Sequence, residues 1–120
     1  MKMKTQARQG DVFIINKKDA NIQADTRSRL FGTAEGLAEL ARDQGRVVLA
    51  YGEVTGHAHV ITDEGVVMSK IGNTEVYSLS VQRQATLTHE EHSAISIAPG
   101  ENVVIHQKEY QQGQIQRVVD

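Results

Sequence analysis

The apolar positions of the chain fall into short runs separated by polar turns. Val12-Phe13-Ile14-Ile15 is unbroken between Gly10-Asp11 and Asn16-Lys17-Lys18-Asp19, which suits a strand covered on both faces better than a helix of that length. From Arg46 onward, segments rich in Val, Ile and Thr alternate with turn residues and predict a series of short strands. These run from Val47 to Tyr51, Val54 to Thr62, Val66 to Ile71, Val76 to Val81 and Ala85 to His89, with a final pair, Ala94 to Ile97 and Val103 to Lys108. Asp63-Glu64-Gly65, Gly72-Asn73 and Pro99-Gly100-Glu101-Asn102 supply Gly, Pro or Asn where the backbone must reverse.

One segment departs from the strand pattern. Thr33 followed by Ala34, Leu37, Ala38, Leu40 and Ala41 has helical spacing, with an N-cap at Thr33 and a stop at Gly45. A short helix is therefore expected over about residues 33–44, although Gly36 weakens it by about 1 kcal/mol relative to alanine. Residues 21–32 have no clean period and read as a loop with room for one short strand. Residues 1–9 are polar with three positive charges and are expected to form a flexible basic arm, one end of which can add a strand to a neighbour. The predicted architecture is mainly β, a small barrel or jelly-roll-like meander with one short helix, in a single domain over residues 10–120.

Composition narrows the chemistry. At 120 residues and 13.2 kDa the chain can build one core. An apolar fraction of 39% with 3 Tyr, 2 Phe and no Trp makes that core lean; a metal or a partner chain often helps such a core. The net charge of −2 provides no general field to attract nucleic acid or an anionic membrane. There is no cysteine, which excludes disulfides, thiolate metal sites and cysteine nucleophiles together. The basic start is followed by no apolar core of a signal peptide, and no stretch approaches the ~20 apolar residues of a membrane span. The cytoplasm is the expected location.

Four of the five histidines occur as two tight pairs, in Gly56-His57-Ala58-His59 and His89-Glu90-Glu91-His92. On a strand, His57 and His59 project from one face with Thr55 and Ile61, a spacing that suits two ligands to one ion. His89 and His92 stand three apart and share a side only if the chain bends at Glu90-Glu91. The four imidazoles, with Glu90, Glu91, Glu53 and Glu64 as nearby carboxylates, make a first shell for a divalent metal such as Zn, Fe, Ni or Mn. Glu90 and Glu91 are the candidate catalytic groups for moving protons at bound water.

Neighbouring readings of these residues are distinguishable. His89-Glu90-Glu91-His92 is one residue short of the zinc-protease helix motif and lacks its long helix. Strand histidines can also be satisfied by backbone or carboxylate hydrogen bonds without any ion, the reading favoured for His106. Gly52-Glu53-Val54-Thr55-Gly56 reads as a bulge or turn rather than a phosphate loop. Ser78, Ser80, Ser93 and Ser96 lie in no nucleophile elbow. The polar stretch from Lys108 to Val119 reads as a terminal strand or docking tail, suited equally to self-association.

Arg8-Gln9-Gly10-Asp11-Val12, Gly52 to His59, and Thr88-His89-Glu90-Glu91-His92 resemble a family of small bacterial proteins of unassigned function. The likeness runs over most of the chain and implies no activity. His57-Ala58-His59 with Glu64 is also similar to the first motif of the cupins, jelly-roll metal proteins. Pro99-Gly100 before His106 follows the order of their second motif at a longer spacing, and the His89 and His92 pair lies outside the cupin pattern. That resemblance implies a metal held in a β-barrel.

The expected function is divalent-metal binding by a small β-barrel, either as a metal-dependent enzyme with an open coordination position or as a module whose closed site staples a core or interface. A metal-free adaptor or self-assembling module with structural histidines is the competing reading. A small-molecule substrate and a second copy of the chain are the partners to test; nucleic acid and membrane are not expected.

Overall fold

The computed structural model describes residues 5–31, 37–52, 56–72 and 76–106. In chain order these form β1 (Gln6–Gln9), β2 (Val12–Asn16), α1 (Ala24–Phe31), β3 (Leu37–Glu39), β4 (Val47–Tyr51), β5 (Ala58–Ile61), β6 (Val66–Ile71), β7 (Val76–Val81), β8 (Ala85–Leu87), β9 (Ile95–Ile97) and β10 (Gly100–His106). The fold is mainly β with one helix. Six strands make one antiparallel sheet in the order β1-β2-β10-β7-β6-β3, while β4 pairs with β5 and β8 with β9.

Alternation along the strands explains the core. Val12 and Ile14 of β2, Val66 and Met68 of β6, Leu79 and Val81 of β7 and Val104 of β10 are buried, and they meet Val47 and Leu49 of β4, Ile61 of β5, Ala85 and Leu87 of β8 and Ile97 of β9 in one apolar cluster. The six-stranded sheet and the two hairpins therefore share a single interior. The hairpins are joined by an isolated antiparallel bridge, Val60 to Thr88, in which each backbone N–H donates to the other residue's carbonyl at 3.0 and 2.9 Å.

The strands expected at 47–51, 66–71 and 76–81 form with those bounds as β4, β6 and β7. The sheets do not close into a barrel. Among the described residues, β1 pairs only with β2 and β3 only with β6, so both remain sheet edges. β3 is three residues long and exposed throughout, which leaves no apolar face to draw it onto the opposite layer.

The helix lies elsewhere than expected. Leu37–Glu39 pair with Ser69–Ile71 of β6 as an edge strand, so the helical spacing after Thr33 gives way to backbone pairing with an available edge. Residues 33–36 lie outside the described residues. The helix forms instead over the polar stretch at 24–31, where no residue is buried. Asp25 in its first turn and Arg29 in its last complement the helix dipole. The Arg27 guanidinium ties it down by donating to the carbonyls of Lys17, Asp19 and Ile22.

Two further segments differ from expectation. Gln6–Gln9, placed in the flexible arm, form β1 along β2. Asn102, placed in a turn, is a buried residue of β10 opposite Asn16, whose amide donates to its Oδ1 at 3.0 Å, and its own amide donates to the Ala98 carbonyl. Glu53 and the stretch from residue 107 onward lie outside the described residues.

Leu79 is fully buried in β7 at the middle of the large sheet. Leu79→Ala is expected to destabilise the protein by about 2–5 kcal/mol, read as a lower urea midpoint at unchanged slope. A cost below about 1 kcal/mol would contradict a core centred on this residue.

Candidate functional site

The Val60–Thr88 bridge brings the two histidine pairs together. Because the two residues exchange both backbone hydrogen bonds, the next positions, His59 and His89, form a non-hydrogen-bonded pair, in which opposed side chains stand closest. Their ring centroids lie 4.4 Å apart. One residue further, the Ala58 N–H donates to Glu90 Oε1 at 2.9 Å. One further still, His57 Nδ1 lies 3.6 Å from Glu91 Oε2. Antiparallel register thus accounts for each contact in turn.

The chain bends over Glu90–His92, which carries His92 back to the same place. The His92 ring centroid is 4.7 Å from that of His89 and 5.9 Å from that of His59, and His57 stands edge-on to His89 at 5.7 Å. His89 is the hub, in ring contact with the other three. The ligating atoms of His57, His89 and Glu90 all fall within 4.8 Å of one another, so this group could hold a metal ion. About 4.2 Å is the widest separation across an ion with bonds near 2.1 Å, somewhat less than the spread of these atoms.

A third segment borders the cluster. The β1–β2 turn sets Asp11 Oδ1 3.6 Å from His59 Nε2, and Gln9 Oε1 2.8 Å from His59 Nδ1. Gly10 between them has φ +61°, and a Cβ there would meet His92 Nε2 at 2.9 Å and His59 Cε1 at 3.2 Å. The turn is therefore glycine both for its left-handed backbone and for the rings against it. β4 carries a bulge between Val48 and Ala50, beside His59 of β5. Bulges often occur where a strand re-aims side chains next to a site.

Burial holds the His59 imidazole below its ordinary pKa, and the neighbouring His89 and His92 add to the effect against the opposing Asp11. A neutral ring is the form that binds metal. Accepting the Ala58 N–H holds the Glu90 carboxyl below the usual carboxylate range, with its own backbone N–H and the nearby His57 and His89 acting in the same direction. Glu90, Glu91 and Asp11 are exposed around the buried His59, giving the cluster an acidic rim.

His106 stands apart in role. Its Nε2–H donates to the Leu49 carbonyl at 2.6 Å and its ring packs 5.4 Å from Tyr77, so it ties β10 to the bulge of β4. Glu64 lies in the exposed turn before β6.

A family model described as a domain of unknown function, DUF8820, matches residues 8–107. The chain belongs to this family. The DUF8820 span encloses all four clustered histidines, the β1–β2 turn and His106. No curated protein and no solved structure matches the chain, and a cupin relationship is not shown. Gln9, Gly10 and Asp11 were part of the sequence resemblance but carried no expected role. Their proximity to the histidines comes from tertiary pairing, which no local spacing encodes.

Gly10→Ala is expected to cost more stability than Gly72→Ala, where φ is also positive at +51° but a Cβ would meet nothing within 4 Å. Each substitution carries about 1–2 kcal/mol of left-handed strain. Equal losses in urea denaturation would contradict the close packing of the turn on His59 and His92.

The lowered pKa of His59 also fixes a sign. In the metal-free protein its contribution to stability is fully present above about pH 6.5, the unfolded value, and is lost as pH falls through the lower folded-state value, because the unfolded chain takes the proton first. His59→Gln is expected to flatten the decline in stability below pH 6.5. An unchanged pH profile would remove His59 as its source.

Proposed function

We propose that this domain binds one divalent cation through His57, His59, His89 and His92, with Glu90 as the nearest carboxylate. The observation that carries the reading is the convergence of four imidazole rings, from segments some thirty residues apart, around His89. Without cysteine, the donors are nitrogen and oxygen, which suit Zn, Fe, Ni or Mn. The exposed carboxylates of Asp11, Glu90 and Glu91 favour the approach of a hydrated cation over that of an anion.

A catalytic role is favoured over a stapling role by the position of the cluster. Thirteen apolar residues from both hairpins and the large sheet form one core cluster, so the fold has a hydrophobic interior besides the histidines. On this reading Glu90 and Glu91 stand at the exposed side of the site, where they can exchange protons with bound water or a small-molecule substrate.

The test is elemental analysis and zinc titration of the untagged protein beside a His57→Ala/His89→Ala double variant. One ion per wild-type chain and none in the variant is expected. His89→Ala alone should weaken zinc by more than about 100-fold, since losing even an outer-shell partner costs about 10- to 100-fold. Wild-type protein without stoichiometric metal would end the proposal. Chelation should lower the melting temperature only by the mass-action contribution of the bound ion and leave the fold intact; outright unfolding would favour the stapling role.

A further inference from the structure

Gln9 makes three side-chain hydrogen bonds, to Leu87, Ser93 and His59. It is 2% exposed, at the end of β1. Its Nε2 donates to the Leu87 carbonyl at 3.1 Å and to the Ser93 carbonyl at 2.9 Å, the two ends of the loop that carries His89 and His92. Its Oε1 faces His59 Nδ1 at 2.8 Å. The orientation of the amide is settled by these partners: turned over, its oxygen would face two carbonyls. With the amide nitrogen fully committed to those carbonyls, Oε1 can only accept, so the proton on the neutral His59 ring must sit on Nδ1.

The consequence falls on the other ring nitrogen. With Nδ1–H held by Gln9, the Nε2 lone pair of His59 is left free beside Asp11. In the metal-free chain His89 is set the opposite way, because the Glu91 N–H donates to its Nδ1 at 3.0 Å and leaves the neutral ring protonated at Nε2, so ligation through Nε2 requires that proton to move to Nδ1 and this hydrogen bond to open. Two adjoining histidines thus carry opposite tautomers, each fixed by a group outside the ring.

We infer that Gln9 is the positioning residue of the histidine cluster, locking His59 in the Nδ1–H tautomer with Nε2 presented as a ligand atom, and clamping both ends of the 88–92 loop against it. The part concerning the ligand atom rests on the metal-binding reading above; the tautomer and the clamp do not. Partners of this kind orient a metal-binding imidazole and typically change affinity by about 10- to 100-fold when removed.

The experiment is two-bond proton–nitrogen NMR of the metal-free full chain, with zinc titration alongside, for wild type, Gln9→Met and Gln9→Glu. Wild-type His59 is expected as the Nδ1–H tautomer. Gln9→Met, which keeps length but neither donor nor acceptor, should shift it toward Nε2–H and weaken zinc by about 10- to 100-fold. Gln9→Glu still accepts from Nδ1–H but loses both donors, so it should keep the tautomer while lowering stability. If Gln9→Met does not fold, the wild-type and Gln9→Glu spectra still decide. A wild-type Nε2–H ring, or a Gln9→Glu ring that abandons Nδ1–H, overturns the inference. Zinc bound by wild type with a tautomer indifferent to Gln9 also overturns it and spares the metal site. The expected tautomers with no zinc bound would support the inference and end the metal reading.

Discussion

The two hydrogen bonds between Val60 and Thr88 are the interaction on which the rest of the site depends. They join two hairpins that belong to different sheets and fix the register in which His59 meets His89, Ala58 meets Glu90 and His57 meets Glu91. Side chains alternate with period two, so a slip of one residue would set Ala58 or Val60 against His89 and turn the imidazole away. The same register sends Ile61 and Leu87, two residues beyond His59 and one short of Thr88, into the core. Packing of those side chains therefore enforces the pairing of the histidines.

The β1–β2 hairpin completes the arrangement by solving a problem the cluster creates. Four imidazoles in contact repel one another when protonated, and a buried ring must still find partners for its nitrogens. Burial disfavours the charged form of His59, and Gln9 supplies its partner from an edge strand of the large sheet. Among the described residues no buried side-chain nitrogen or oxygen lacks a hydrogen bond. A buried polar group of this kind beside the apolar core interrupts the apolar pattern, and such local departures concentrate at functional sites.

How much of this could be read from the sequence follows from the range of the forces involved. Period-two patterning and turn residues gave β4, β6 and β7 their bounds, since each is a strand with one face in the core and a reversal at its end. The histidine pairs were visible as spacing, and the bend at Glu90–His92 was required for His92 to join His89. The helix was misplaced for a physical reason. Ala24–Phe31 buries nothing and so leaves no apolar stripe, while Leu37 and Ala38 sit at helical spacing but are captured by the exposed edge of β6. Gln9 was illegible as a functional residue, because its three partners lie 50 to 84 positions away in the chain.

Placement of the site also bears on how binding would act on the molecule. The cluster is assembled from the β1–β2 turn, the start of β5 and the 88–92 loop, none of which contributes to it alone. A cation held there binds the assembled state and not the separated segments, so its free energy goes into holding those segments together rather than into the core. The first hairpin and the loop pinned by Gln9 are accordingly the parts whose local opening a bound ion would suppress. The apolar interior between the sheets supplies stability, and the joint between Val60 and Thr88 supplies position. The carboxylates of Asp11, Glu90 and Glu91 then place negative charge beside the joint.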